Sequence, residues 1–144
     1  MSTKVNDSVR MTVPSDPKYL PIVRAIAEEG AAIVGFEDED RHNIVLAVTE
    51  ALTNVIRHAY QGDCGKRIDL LLQTDGDRFH LEITDYGEFV DPKQIASRPL
   101  DEVRPGGLGV YLMKTTMDAV EYTKNTHGGT TLTMVKSPNT KDSS

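Results

Sequence analysis

Three polar side chains, Glu50, Asn54 and His58, recur at four-residue steps within the stretch Asn43 to Tyr60, NIVLAVTEALTNVIRHAY. On an α-helix that spacing stacks them along one stripe. A carboxylate and an amide on a largely apolar helix are costly to bury unless something occupies their hydrogen bonds. The alternative is a stripe facing solvent or satisfied by neighbouring backbone. A second group is Asp85-Tyr86-Gly87. An aspartate at a strand end can accept a hydrogen bond from the exocyclic amine of a bound base, and a glycine two residues on lets the base approach the backbone. Asp-x-Gly is also ordinary turn chemistry. A third is Arg104-Pro105-Gly106-Gly107-Leu108-Gly109. Glycines at a helix N-terminus present backbone N–H groups to an anion, although a flexible turn with a capping glycine has the same composition. No Gly-Lys-Ser/Thr follows, so this is not a Walker phosphate loop, and no strand directly precedes it, as a dinucleotide fingerprint requires.

The elements that must position these groups can be read from apolar periodicity. Asn43 to Tyr60 contains neither Gly nor Pro, and Ile44, Leu46, Ala47, Val48, Ala51, Leu52, Val55 and Ile56 recur at helical steps. The pattern predicts one helix buried over most of its circumference, with Asp38, Glu39 and Asp40 where the helix dipole favours negative charge. Ahead of it, Ser8 to Val13 alternates as a strand with Val9, Met11 and Val13 on one side, and Pro14 ends it. Ser15 or Asp16 then caps a helix with Pro17 at its first position. Tyr19, Leu20, Val23, Ile26, Ala27 and Ile33 form its predicted apolar face, and Gly30 and Gly35 mark its end region.

After the central helix, Gln61 to Gly65 has turn composition. Arg67 to Thr74 and the segment through Phe79, Leu81 and Ile83 read as two strands joined by a tight turn at Asp75 to Asp77. Glu88 to Pro105 holds three prolines and little periodicity, a long lid-like loop with one short helix at Asp91 to Ala96. A helix then runs from Gly106 to near Asp118, followed by strands Val120 to Asn125 and Thr130 to Lys136 around the turn His127-Gly128-Gly129. Consecutive strand hairpins with helices grouped on one face predict an α+β fold. It is a two-layer sandwich with a mixed, mostly antiparallel sheet. One domain is expected over 8–136, with flexible tails at 1–7 and 137–144.

Composition narrows the function classes. At 144 residues the chain is long enough to bury a core without staples. A net charge of −6 with scattered Lys and Arg argues against general nucleic-acid binding. The single cysteine, Cys64, cannot form an internal disulfide and fits a reducing compartment. No apolar run reaches membrane-spanning length and the first residues lack a signal-peptide core, so a cytoplasmic, soluble protein is expected.

Taken in order, Glu50-Ala51-Leu52-Thr53-Asn54 with His58-Ala59-Tyr60, Asp85-Tyr86-Gly87 with Phe89 and Asp91, Gly106-Gly107-Leu108-Gly109 with Met117-Asp118, and Gly129-Thr130-Thr131 resemble a known superfamily. It is the Bergerat-fold (GHKL) ATPase superfamily of gyrase, heat-shock chaperone ATPases and histidine kinases. Within it the chain is most similar to the bacterial anti-sigma-factor serine/threonine kinases, the partner-switching regulators, and the likeness spans Ser8 to Lys136. Phe89 stands where many members have a second glycine, a departure shared with that branch. The segment before the central helix is shorter than the two-helix dimerisation module of histidine kinases, so His42 and His58 are not expected to be phospho-accepting.

The resemblance implies roles. Asn54 would ligate Mg²⁺, and Glu50 would accept the proton of an incoming serine or threonine hydroxyl. Asp85 and Gly87 would receive adenine, with Thr130 supporting Asp85. Gly106, Gly107, Leu108 and Gly109 would hold the phosphates, and His58 would line that site. Arg104 would reach the γ-phosphate or remain a surface charge, and Tyr86 and Phe89 would either wall the adenine pocket or fill the core. The implied activity is Mg-ATP-dependent phosphorylation of a small anti-anti-sigma antagonist, coupled to sequestration of a sigma factor by a homodimer. The competing expectations are a nucleotide-binding sequestration module without catalysis, a switch kinase with an output other than a sigma factor, and an ATPase without a protein acceptor. The carboxylate of Glu50 favours catalysis.

Overall fold

A computed structural model describes residues 7–88 and 105–138, with the backbone alone for 105–110. Its sheet has five strands: β1 (Ser8–Pro14), β2 (Arg67–Gln73), β3 (Phe79–Asp85), β4 (Ala119–Lys124) and β5 (Thr130–Lys136). They lie in the order β1-β2-β3-β5-β4, and every pairing is antiparallel. Among the described residues three α-helices accompany the sheet: α1 (Leu20–Val34), α2 (Asp38–Asn54) and α3 (Pro105–Thr116), with α2 packed against both others. This is the α+β sandwich that the periodicity predicts. The proposed Asp91 to Ala96 helix, and Phe89, Asp91 and Arg104, lie outside the described residues.

One face of the sheet is apolar. Ile68, Leu70 and Leu72 of β2, Phe79, Leu81 and Ile83 of β3, and Leu132 and Met134 of β5 are buried beneath the helices, while their alternate neighbours are not. From the helices, Val23, Ala27 and Ala31 of α1 and Ile44, Ala47, Val48, Ala51 and Leu52 of α2 complete the core. Gly30 lets α1 lie close on β2, since a Cβ there would stand 2.7 Å from Leu72 Cδ2.

Two expectations for the helices need correction. Ile33 is 71% exposed and does not belong to the buried face of α1. At about 100° per residue, two steps beyond buried Ala31 carries it to the opposite side. The central helix is also not one α-helix to Tyr60. It passes at Val55 into a π-helical turn, Val55–Ala59, in which Tyr60 N–H bonds Val55 O at 3.0 Å and Gly62 N–H bonds Ile56 O at 2.8 Å. The wider turn brings Ala59 against Gly87 and Tyr60 over the sheet, contacts that sequence periodicity does not register.

Tyr60 then locks this junction. Its buried hydroxyl donates to Arg67 O at the start of β2 and accepts from Tyr86 N–H, 2.7 Å away, at the end of β3. The left-handed backbone at Gln61 and Gly62 turns the chain back. Ser15, fully buried, holds the returning loop: its Oγ donates to Asp63 O at 2.5 Å and accepts from Lys66 N–H at 2.9 Å. At the other end of α2, Arg41 ties the α1–α2 turn by donating to Phe36 O at 2.7 Å and pairing with Glu28 and Asp38. Among the described residues no helix is long and apolar enough to cross a membrane.

Tyr60→Phe should leave the Tyr86 N–H and the Arg67 carbonyl without this partner in a part-buried setting. We expect a loss of about 1–3 kcal/mol in unfolding free energy, read from urea denaturation, with no change in secondary structure by circular dichroism.

Candidate functional site

A cleft of about 400 Å³, including its mouth to solvent, opens between the C-terminal end of α2 and the strand ends. Ala51, Asn54, Val55, His58 and Ala59 line it from the helix side, and Ile83, Asp85, Tyr122, Thr130 and Leu132 from the sheet. Tertiary structure thus brings Asn54, His58, Asp85 and Thr130 to one place. Glu50 stands one helical turn before Asn54 and outside the lining residues. Gly106, Gly107, Leu108 and Gly109 form the start of α3, so their backbone N–H groups belong to a helix N-terminus.

Asp85 ends β3 with only 2% of its surface exposed. Its Oδ1 accepts from Gly87 N–H at 3.1 Å and Thr130 N–H at 3.2 Å. Burial pushes its carboxyl above the ordinary aspartate range, and these two hydrogen bonds only partly offset that. The approach of β5 demands glycine at 129, because a Cβ there would lie 2.7 Å from Asp85 Oδ1. Gly87 is likewise required by the protein itself, since a Cβ would collide with the Ala59 carbonyl of the π-turn.

Two residues that shape the site are not among those the sequence predicts. Asn125 is one. Its Nδ2 donates to Asp85 O at 2.9 Å, and its Oδ1 accepts from His127 N–H and Gly129 N–H at 2.8 and 3.1 Å. It folds the β4–β5 turn and fastens it to Asp85. An asparagine opening Asn-Thr-His-Gly-Gly is Asx-turn composition and could have been noticed. Tyr122 is the other; as one residue of an alternating edge strand it carries no motif.

Tyr86 neither walls the cleft nor fills the core. It turns to the opposite face of the sheet, where its hydroxyl donates to Asp69 Oδ2. The Arg67 guanidinium lies 5.5 Å from its ring centroid and the His127 ring 5.2 Å away. The reason is pleat: Asp85 points inward, so its neighbour points out.

The helix side of the cleft has polar atoms with nothing to bond. Among the described residues, Glu50 Oε2 and both Oδ1 and Nδ2 of Asn54 are shielded from water without a hydrogen-bond partner. Buried polar atoms are normally paired. An amide and a carboxylate one turn apart, unsatisfied by the protein, fit a ligand bearing a hard cation and phosphate oxygens, for which an amide oxygen is a suitable donor. The Asn54 and Glu50 chemistry therefore fits Mg²⁺ with a nucleotide.

The folded-state pKa of Asp85 lies above its unfolded value, so its contribution to stability is complete below the ordinary carboxylate range and is lost as pH rises through the raised value. Asp85→Asn removes that loss. Urea titrations at a series of pH values should show the variant gaining stability relative to wild type as pH rises through that window, and little difference in the trend below it.

Comparison with known proteins agrees with this geometry. The model of the histidine kinase-like ATPase domain matches residues 13–136. The chain is 33% identical over 144 residues to the serine-protein kinase RsbW of Bacillus velezensis, covering 94% of this chain and 88% of the relative. It is 32% identical over 138 residues to RsbW of Bacillus subtilis, covering 90% and 85%. A solved structure of the RsbU and RsbW domains of Rv1364c from Mycobacterium tuberculosis superposes with a TM-score of 0.62 at 19% identity. The match covers 90% of this chain and 31% of that longer one. That likeness speaks for the fold. On the family match and the identity to these relatives, the chain belongs to the histidine kinase-like ATPase domain family and, within it, to the RsbW family of serine-protein kinases.

Proposed function

We propose that the chain is a Mg-ATP-dependent serine/threonine kinase of a partner-switching pathway. Its protein substrate is a small antagonist of the anti-anti-sigma type, and its unphosphorylated-antagonist-free form holds a sigma factor. The observation that carries the catalytic part is the pair of unsatisfied groups on α2, Glu50 Oε2 and the Asn54 amide, in line with a cleft that ends at buried Asp85. A non-catalytic sequestering module has no use for a shielded carboxylate beside the phosphates.

The roles divide along the cleft. Asp85 Oδ2 accepts the adenine amine, while its Oδ1 is already engaged by Gly87 and Thr130. Ile83 and Leu132 offer apolar surface to the base. Asn54 Oδ1 would hold Mg²⁺, which would supply neutralising charge at the phosphates. His58 lines the same end, and the N–H groups of Gly106, Gly107, Leu108 and Gly109 receive phosphate oxygens. Glu50 accepts the hydroxyl proton as the acceptor oxygen bonds to the γ-phosphorus and the bond to the ADP oxygen breaks.

The protein acts in the cytoplasm as one catalytic domain and pairs as a homodimer through β1 and α1. In support, β1 is an edge strand, and Val9 on it and Ile22 on α1 are 47% and 50% exposed.

The test is phosphotransfer from ATP with Mg²⁺ to candidate antagonist proteins of the same genome. Glu50→Ala should lower transfer by about 10²-fold or more while nucleotide binding, followed by calorimetry, persists. Asn54→Ala should abolish the Mg²⁺ dependence of ATP affinity. Binding of ATP with no transfer to any candidate would favour the sequestering module, and no ATP binding would refute the assignment of the cleft.

A further inference from the structure

We infer that the Tyr122 hydroxyl is a nucleotide-contacting group of the cleft, a neutral donor that grips the nucleoside at a point apart from Asp85 and so sets affinity for it. This rests on the nucleotide-binding reading of the cleft and adds to it a residue with no motif signal.

The placement follows from register. Tyr122 of β4 lies opposite Leu132 of β5, on the face that packs beneath the helices. It lines the cleft with Asn54, Asp85 and Thr130. The ring has an evident structural use, as part of the apolar cover at the sheet edge. The hydroxyl has none: no described residue gives it a hydrogen bond. A phenylalanine would pack the same ring without taking a hydroxyl partly out of water. Burial alone pushes the phenol up to about 12, so it remains protonated, able to donate, at any working pH. Asp85 ends β3 and Tyr122 lies on β4, with β5 between those strands, which places the two polar groups at separate points of the cleft.

A purine nucleoside suits such a two-point site. Adenine offers its exocyclic amine as a donor and its ring nitrogens as acceptors, and the ribose adds hydroxyl oxygens. Asp85, an acceptor, takes the amine. Tyr122, a donor, takes one of the acceptors. Neither can replace the other, because a carboxylate has no proton to give and a neutral phenol is a poor substitute for the anionic acceptor.

The decisive comparison is Tyr122→Phe with wild type, using ADP and ATP by calorimetry, thermal unfolding without nucleotide, and steady-state phosphotransfer. The expected result is a Kd for both nucleotides raised roughly three- to tenfold, the effect of one neutral hydrogen bond. KM for ATP should rise in step with unchanged kcat, and the unfolding midpoint should stay the same or rise. An unchanged Kd overturns the inference. So does a fall in affinity accompanied by a lower midpoint, which is the mark of a structural tyrosine. Wild type that binds neither nucleotide would refute the cleft assignment and this inference together, whereas binding by wild type with an indifferent Phe variant refutes this inference alone.

Discussion

A carboxylate kept out of water at the end of β3 is the constraint to which the rest of the site answers. Asp85 is nearly fully buried, and two backbone N–H groups from opposite sides converge on one of its oxygens. For Thr130 N–H to arrive, β5 must start beside β3 with no side chain at position 129. For Gly87 N–H to arrive, the chain must double back beneath Ala59, again with no side chain. Asn125 then fixes the β4–β5 turn to the carbonyl of the same aspartate. The glycines and the asparagine are best understood as conditions for burying one acceptor that still has capacity for a ligand.

The opposite wall of the cleft shows the complementary feature. The core beneath α2 is well filled by aliphatic side chains from the helices and the inner face of the sheet. Against that background the Asn54 amide, one Glu50 oxygen and the Tyr122 hydroxyl receive no hydrogen bond from the described residues. The Asn54 amide and the Glu50 oxygen, shielded from water, lower stability in the ligand-free protein. Such local departures from good packing chemistry are expected where a protein reserves its groups for something it binds.

Two tyrosines connect this site to the frame. Tyr60 closes the π-turn and, through one oxygen, joins the ends of α2, β2 and β3. Tyr86, whose own backbone N–H supplies one of those bonds, sends its ring to the outer face, where Asp69, Arg67 and His127 hold it. The strand end bearing Asp85 is therefore gripped on both faces of the sheet. The position of the Asp85 carboxylate depends on this grip as well as on its own hydrogen bonds.

Much of this was legible in the order of residues. The four-residue spacing of Glu50, Asn54 and His58, the alternation of β2, β3 and β5, and the glycines at the start of α3 are local patterns. Helix and strand geometry convert local patterns directly into faces, and a polar stripe on an apolar helix already announces an unmet need. The resemblance to anti-sigma-factor kinases rested on those same residues. What the sequence did not disclose depends on contacts between distant segments. The π-turn after Asn54 arises where α2 meets β3, and the outward turn of Tyr86 follows from which of two adjacent residues the core claims. The exposure of Ile33, the tether from Asn125 and the place of Tyr122 in the cleft have the same origin. By itself the sequence determined the fold class and the polar groups available for chemistry, because those follow from periodicity and residue type. Only tertiary structure decided which of them share a cleft, which are already satisfied and which remain free for a ligand, because hydrogen-bond partners and desolvation are set across strands and helices far apart in the chain.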